Sequence, residues 1–259
     1  MAIPKTFKVA SWNIAGGRPA RSLEAYDYHD EDLAYFAEEL RKIGPDVVCL
    51  QETHTSPDRA VSKELSKLLG WKYCYDAPMS PSHVDPDYQL GVAMLWKSKP
   101  DSVSAKALPD PGFHLYFKDG RRAATHHKGI QVAHIGNMTI ANMQLLPISI
   151  FGKSYDQDEG LEFARQIEKV LLGSLRTPLV FAGDFNYDGV PEETYRLLYE
   201  KFALHEALPH KQTRPREIPD FWSSPDHITY SSGVVLRGAD VVKTDRTDHY
   251  LCWAEFELA

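Results

Sequence analysis

Short apolar runs rich in β-branched and aromatic residues recur along the whole chain: Phe7–Trp12, Val47–Leu50, Gly91–Trp96, Ile130–Ile135, Met138–Leu146, Leu179–Ala182, Ile228–Tyr230 and Tyr250–Phe256. Runs of this length and composition predict strands. Helical periods lie between some of them. Asp32–Ile43 aligns Leu33, Phe36, Ala37 and Leu40, and Pro57–Leu69 aligns Val61, Leu65, Leu68 and Leu69 before Gly70. Glu159–Leu175 aligns Phe163, Ile167, Val170 and Leu171, and Pro191–Tyr199 reads as a short fourth helix. From Gly91 to Leu146 strand follows strand. That order fits a mixed α/β layered fold better than a purely parallel doubly wound sheet.

With 259 residues the chain is long enough for one large domain or two small ones. No flexible linker divides it. The proline-peppered stretches Pro78–Gln89, Pro100–Phe113 and His205–Ser224 read as surface loops of a single domain, 1–259. An apolar fraction of 43% with 25% charged residues excludes a disordered or collagenous chain. The isolated Cys49, Cys74 and Cys252 read as reduced, buried thiols. The start, Met1-Ala2-Ile3-Pro4-Lys5, enters a strand-like run without the apolar stretch of a leader, and no segment is apolar enough to span a bilayer. The expectation is a cytoplasmic monomer. A net charge of −7 argues against a surface coated for non-specific nucleic-acid binding, although it leaves room for a local basic groove.

Polar residues recur where the apolar runs stop. Ser11-Trp12-Asn13-Ile14-Ala15-Gly16-Gly17 follows the first run, and Gln51-Glu52 follows the second. Gly183-Asp184-Phe185-Asn186 closes a later one, Asp226-His227-Ile228-Thr229-Tyr230 opens another, and Asp248-His249 precedes the last. Each alone reads as turn chemistry or a solvated carboxylate. In a layered sheet fold, such ends can converge at one rim, where ligands commonly bind.

Taken in this order, the five signatures closely resemble the endonuclease/exonuclease/phosphatase (DNase I-like) superfamily, over nearly the whole chain from Ser11 to His249. The resemblance implies a four-layer α/β sandwich of the α+β type, with two mixed β-sheets face to face and helices on the outer faces. It implies a divalent-metal-dependent phosphoester hydrolase. Such a site must answer negative charge building on the phosphoryl oxygens, and hard oxygen ligands suit Mg²⁺ or Mn²⁺. By the same match, Glu52 is the principal metal carboxylate, with Asn13 beside it and Asp248 completing the shell. Asp184 would orient or deprotonate the attacking water, and Asn186 would donate to a phosphate oxygen. Spacing by two on an extended chain would turn both to one face. His249 would be a donor or general acid/base, with Asp226 holding its ring.

Two departures stand out. Where many family members read Asn-x-His-Leu, this chain has Asn142-Met143-Gln144-Leu145. Asn142 and Gln144 are then phosphate-facing candidates, but Gln144 cannot titrate and only positions. Ala15 stands where some nucleases of the group carry a second carboxylate. A basic run, Lys118-Asp119-Gly120-Arg121-Arg122 with His126-His127-Lys128, reads as a solvated hairpin or as a phosphate-gripping wall through Arg121 or Arg122. A transition-metal site at His126-His127 is disfavoured because neighbouring strand residues point apart. Tyr26, Tyr28, His29, Phe221 and Trp222 read as caps over the core rather than base-stacking platforms. The expected substrate is nucleic acid, with the acidic balance favouring short, end-like or single-stranded forms. The alternatives are a phosphorylated lipid, inositol or other small molecule, or a silent binding module on the same scaffold.

Overall fold

The computed structural model describes residues 3–21, 27–114, 126–187, 191–215 and 224–259. Among these described residues, twelve strands form two six-stranded sheets. In the first, β1 (Thr6–Asn13) lies between β12 (Leu251–Leu258) and β2 (Val47–Thr55), with β11 (Val234–Val242) beyond β12. β4 (Gln89–Trp96) and β3 (Tyr73–Pro81) lie beyond β2. The second runs β5 (Ser102–Ala107), β6 (Gly129–Ile135), β7 (Met138–Gln144), β8 (Leu179–Asp184), β10 (Asp226–Tyr230), β9 (His205–Glu206). One central pair in each sheet is parallel, β1 with β2 and β7 with β8, and the remaining pairings are antiparallel. Each parallel pair needs a crossover. Helix α1 (Leu33–Ile43) supplies the first and α3 (Asp158–Ser174) the second.

Alternation along the central strands fills both faces. Val9, Val47, Cys49, Ile140, Val180 and Ala182 join one core between the sheets, with Ile228 and Phe256. Their neighbours Ala10, Trp12, Val48 and Leu50 face the other way, against Phe36 and Leu40 of α1 and Leu65 of α2 (Val61–Leu68). Ala141, Met143 and Phe181 likewise pack under α3 through Phe163, Ile167 and Leu171. Continuous apolar runs are what strands covered on both sides require, and the architecture is the four-layer sandwich the family resemblance implies.

The differences from expectation lie at the edges. Pro100–Phe113 contains β5, whose SVSAKA sequence is half-exposed and never forms an apolar run. β3 reaches Pro81, inside the stretch expected to be loop, and β11 has no counterpart among the expected strands. The expected helix Pro191–Tyr199 is two, α4 (Pro191–Thr194) and α5 (Arg196–Phe202). Edge elements are covered on fewer sides, so their sequences carry less of the apolar signal. Among the described residues, no helix is long and apolar enough to cross a membrane.

Between β7 and β8 the chains meet with no room for a side chain at Gly183, where a Cβ would stand 2.1 Å from Met143 O. Gly183→Ala should therefore destabilise the fold by ~2 kcal/mol or more, as overpacking against backbone does. Urea unfolding of the variant measures this.

Candidate active site

The two parallel pairs end at one rim, where Asn13 lies opposite Gln51 and Gln144 opposite Asp184. Alternation that placed Val9, Ile140 and Val180 in the core between the sheets carries on to Asn13, Gln144 and Asp184. The inward face thus changes from apolar to polar as these strands run out.

Asp184, 1% exposed, is the hub. Its Oδ2 accepts from Asn13 Nδ2 (3.1 Å), Gln144 Nε2 (3.2 Å) and Asn186 Nδ2 (3.0 Å), and its Oδ1 accepts from Asn186 N (2.9 Å). Asn186 reaches it through a turn, not along an extended strand: β8 stops at Asp184 and Asn186 has φ +47°. The other Asn186 side-chain bond goes to Leu145 O at 2.9 Å. Without a ligand, its amide thus donates to protein acceptors, Asp184 Oδ2 and Leu145 O. Asn13 is likewise placed on Asp184, with its Oδ1 accepting from Ala15 N at 3.2 Å. Burial, with Asp226 and Glu52 close by, pushes the Asp184 carboxyl up, against the pull of His249.

Asp226 stands directly across from Asp184 on β10. Two like charges opposite one another in a sheet repel, and His249 answers them. Its Nδ1 donates to Asp226 Oδ2 (2.9 Å) and Oδ1 (3.1 Å). Burial disfavours a charged ring, but Asp226 and Asp184 outweigh it and lift the His249 pKa to about 9. The ring is therefore an imidazolium at neutral pH. Trp12 Nε1 (3.0 Å) and Thr247 Oγ1 (2.6 Å) both donate to His249 O, fixing its backbone.

Glu52 sits inside β2, where the register with β4 shifts between Gln51 and Thr53 and φ at Glu52 is +54°. A bulge at a left-handed non-glycine residue is strained backbone that re-aims a side chain. Its Oε1 accepts from Gln144 Nε2 (2.8 Å) and lies 3.7 Å from Lys128 Nζ, while Oε2 faces His83 Nε2 at 3.8 Å. Burial would raise this carboxyl, yet Lys128 and His83 hold it down at about 2. Gln144 bridges the whole arrangement, since its Oε1 accepts from Lys128 Nζ at 2.8 Å. Asp248 lies on the other flank, accepting from Tyr28 OH at 3.3 Å and facing Arg214 Nη2 at 3.5 Å.

Two cations of the site escaped sequence reasoning. Lys128 was visible only as one of a basic run. Strict alternation back from Ile130, which packs under α3, would turn it outward, but it precedes β6 and swings in to Gln144. Arg214 belongs to the stretch expected as surface loop, yet Thr213 and Arg214 are buried, and Thr213 Oγ1 accepts from Asp226 N at 3.2 Å. Nothing in the spacing of Arg214 signals this. Asn142 does not fit the phosphate-facing role. It is wholly buried, donating to Leu50 O and Ala93 O (both 2.9 Å) and accepting from Gln51 Nε2 (2.7 Å), so it ties the two sheets together. Arg121, Arg122, Tyr26, Phe221 and Trp222 lie outside the described residues.

Donor atoms of Asp184, Asp226 and His249 lie within 4.8 Å of one another, a spacing that could hold a metal. Both oxygens of Asp226 are already engaged there by His249 Nδ1, and both oxygens of Asp184 by N–H donors. Glu52 offers the better fit. Its anionic carboxylate is turned out by the bulge, with Oε2 on the side away from Gln144 and Lys128.

Comparison with known proteins matches residues 10–249 to a family described as the endonuclease/exonuclease/phosphatase family. A DNA-(apurinic or apyrimidinic site) endonuclease of Dictyostelium discoideum is 26% identical over 182 residues, 69% of this chain and 41% of that protein, so the chain spans about two fifths of that relative. Among solved structures, an endonuclease/exonuclease/phosphatase from Beutenbergia cavernae superposes with TM-score 0.72 at 16% identity, covering 98% of this chain and 72% of that one. A 3′ phosphatase from Neisseria bound to product DNA hairpin gives 0.63 at 18% identity, covering 97% and 99%.

The raised His249 pKa makes a prediction about stability. A ring protonated more readily in the folded than in the unfolded chain stabilises fully below about 6.5, and that stabilisation is lost as pH rises through about 9. In chelator, the melting temperature of the wild type should therefore fall between about pH 7 and 10 more steeply than that of Asp226→Asn, measured by calorimetry.

Proposed function

Because the chain belongs to the endonuclease/exonuclease/phosphatase family, we propose that it is a divalent-metal-dependent hydrolase of phosphoester bonds in nucleic acid. The supporting observation is the convergence of Glu52, Asp184 and the Asp226–His249 pair at one rim, with Asp226 joined to His249 at 2.9 Å. The relatives that act on or bind DNA, the apurinic-site endonuclease and the 3′ phosphatase, favour a nucleic-acid substrate.

Mg²⁺ or Mn²⁺, held by Glu52 with Asp248 alongside, would polarise a phosphoryl oxygen and offset charge developing on the leaving group. The protein groups divide the remaining work. Asp184 Oδ1 takes a single bond, from Asn186 N, and so keeps a lone pair with which to orient and deprotonate water. The amides of Asn13, Gln144 and Asn186 fix that carboxylate through Oδ2. Its raised pKa makes it a better base than a solvated aspartate. His249, its Nδ1 bound to Asp226, has Nε2–H to donate to a phosphoryl oxygen, and its charge stabilises the crowded anionic transition state. Gln144 couples Asp184 to Glu52 by donating to both, and its amide does not titrate. The net charge of −7 favours a short, end-like or single-stranded substrate over long duplex.

A screen in Mg²⁺ and Mn²⁺ over abasic, single- and double-stranded DNA, RNA, inositol phosphates and sphingomyelin tests the reading. Nucleic acid should be cleaved. Turnover confined to the inositol phosphates or sphingomyelin would overturn the substrate assignment. Asp184→Ala and His249→Ala should each lower metal-dependent turnover by ~10²-fold or more with melting cooperativity retained.

A further inference from the structure

Lys128 is withdrawn from water, its side chain 9% exposed, yet its close partner is not a carboxylate. Its Nζ donates to the amide oxygen of Gln144 at 2.8 Å, whereas Glu52 Oε1 stands 3.7 Å away, beyond hydrogen-bonding distance. The backbone holds it there. Lys128 O accepts from Leu108 N at 2.8 Å, which ties the entry to β6 onto the end of β5. A buried ammonium must find acceptors, and the nearer one here is an uncharged side chain that is itself buried.

Gln144 passes this contact on. Its two amino hydrogens serve Glu52 Oε1 at 2.8 Å and Asp184 Oδ2 at 3.2 Å. The oxygen and nitrogen ends of an amide have nearly equal shape, so packing alone does not choose between its two orientations. Charge does. Turned over, the amide would set its oxygen against two carboxylates and its N–H groups against the ammonium of Lys128. Hydrogen bonds in series also polarise one another in a low-dielectric interior. The ammonium drawing on Gln144 Oε1 therefore makes the N–H groups stronger donors to both carboxylates.

The consequence falls on the oxygens left over. Asp184 Oδ2 is taken by three amide side chains, and Oδ1 keeps a single donor, Asn186 N. We propose that Lys128 is a positioning residue of the reaction. It acts through the Gln144 amide, a cation-polarised bridge that locks Asp184 and Glu52 together and leaves Asp184 Oδ1 to the attacking water. The proposal rests on the reading of Asp184 as the base.

The test uses the full chain in Mg²⁺ with fluorogenic single-stranded DNA and RNA as substrates. Lys128→Met removes the charge and keeps the stem. It should lower kcat ~10-fold or more, as loss of a charge-assisted hydrogen bond does, with KM little changed. Lys128→Arg keeps the charge and a donor and should restore most of the rate. Because Lys128 acts through Gln144, adding Lys128→Met to Gln144→Met should cost less than about 2-fold more. Losses that multiply in the double variant, or a raised KM with kcat unchanged, would show Lys128 gripping the substrate directly and overturn the bridge. The side-chain amide ¹H–¹⁵N resonances of Gln144, identified by their absence in Gln144→Met, read the contact without turnover. They should shift in Lys128→Met and move back in Lys128→Arg. Resonances unmoved in Lys128→Met would overturn the proposal and leave the hydrolase reading intact. Both substrates left uncut by the wild type would remove the nucleic-acid reading, while shifted resonances would still uphold the bridge.

Discussion

Four carboxylates lie at one rim of this sandwich, and each that is withdrawn from water must meet positive charge or hydrogen-bond donors. The rest of the site follows from that requirement. Asp226 has the His249 ring at 2.9 Å, Glu52 has Lys128 at 3.7 Å, and Asp248 has Arg214 at 3.5 Å. Asp184 has no cation of its own within bonding distance among the described residues. It is held by four hydrogen bonds from three amide side chains and one backbone N–H. Burial, with Asp226 and Glu52 close by, raises its pKa, which is the property a base requires. Part of the acidic balance of the sequence is thus neutralised within the site by the chain's own cations before any metal binds.

The sandwich supplies this arrangement through its two parallel pairs. A parallel pair ends both strands at the same level, and two such pairs facing one another bring four strand ends together. Asn142 fixes how the pairs face. Its bonds to Leu50 O, Ala93 O and Gln51 cross between the sheets one layer below the site. Above that layer, the backbone departs from regular strand at Glu52 and at Asn186, with φ of +54° and +47°. Regular strand would leave Glu52 on a fixed face of β2. The bulge turns it toward Gln144, and strain of this kind persists only where the surroundings over-determine it.

What the sequence displayed was whatever depends on periodicity and local chemistry. Runs such as Val47–Leu50 and Leu179–Ala182 are apolar on both faces because helices cover one side and the opposing sheet the other. Helix α1 was readable from its stripe, and the structure adds Asp32 as its cap, accepting from Tyr35 N. The polar residues at the run ends were legible for the same reason, since spacing by two from a core residue leads to Asn13, Gln144 and Asp184. Edge strands such as β5 and β11 were hidden because half-exposed strands need no apolar run. Asn142 shared the inward face with Gln144, and sequence alone could not show that one lies below the site and the other in it. Arg214 and Lys128 depend on loops meeting across the rim, and chain-local patterns carry no information about that.

The central claim is that Glu52, turned out by its bulge, holds the cation, while Asp184, Asp226 and His249 remain a hydrogen-bonded proton-handling group. A crystal structure of the full chain soaked in Mn²⁺, with an anomalous difference map at the manganese edge, tests this most directly. The account predicts a peak about 2.2 Å from Glu52 Oε2, with the Asp226–His249 contact preserved. A peak enclosed by Asp184, Asp226 and His249, or an anomalous map without a peak at Glu52, would contradict it.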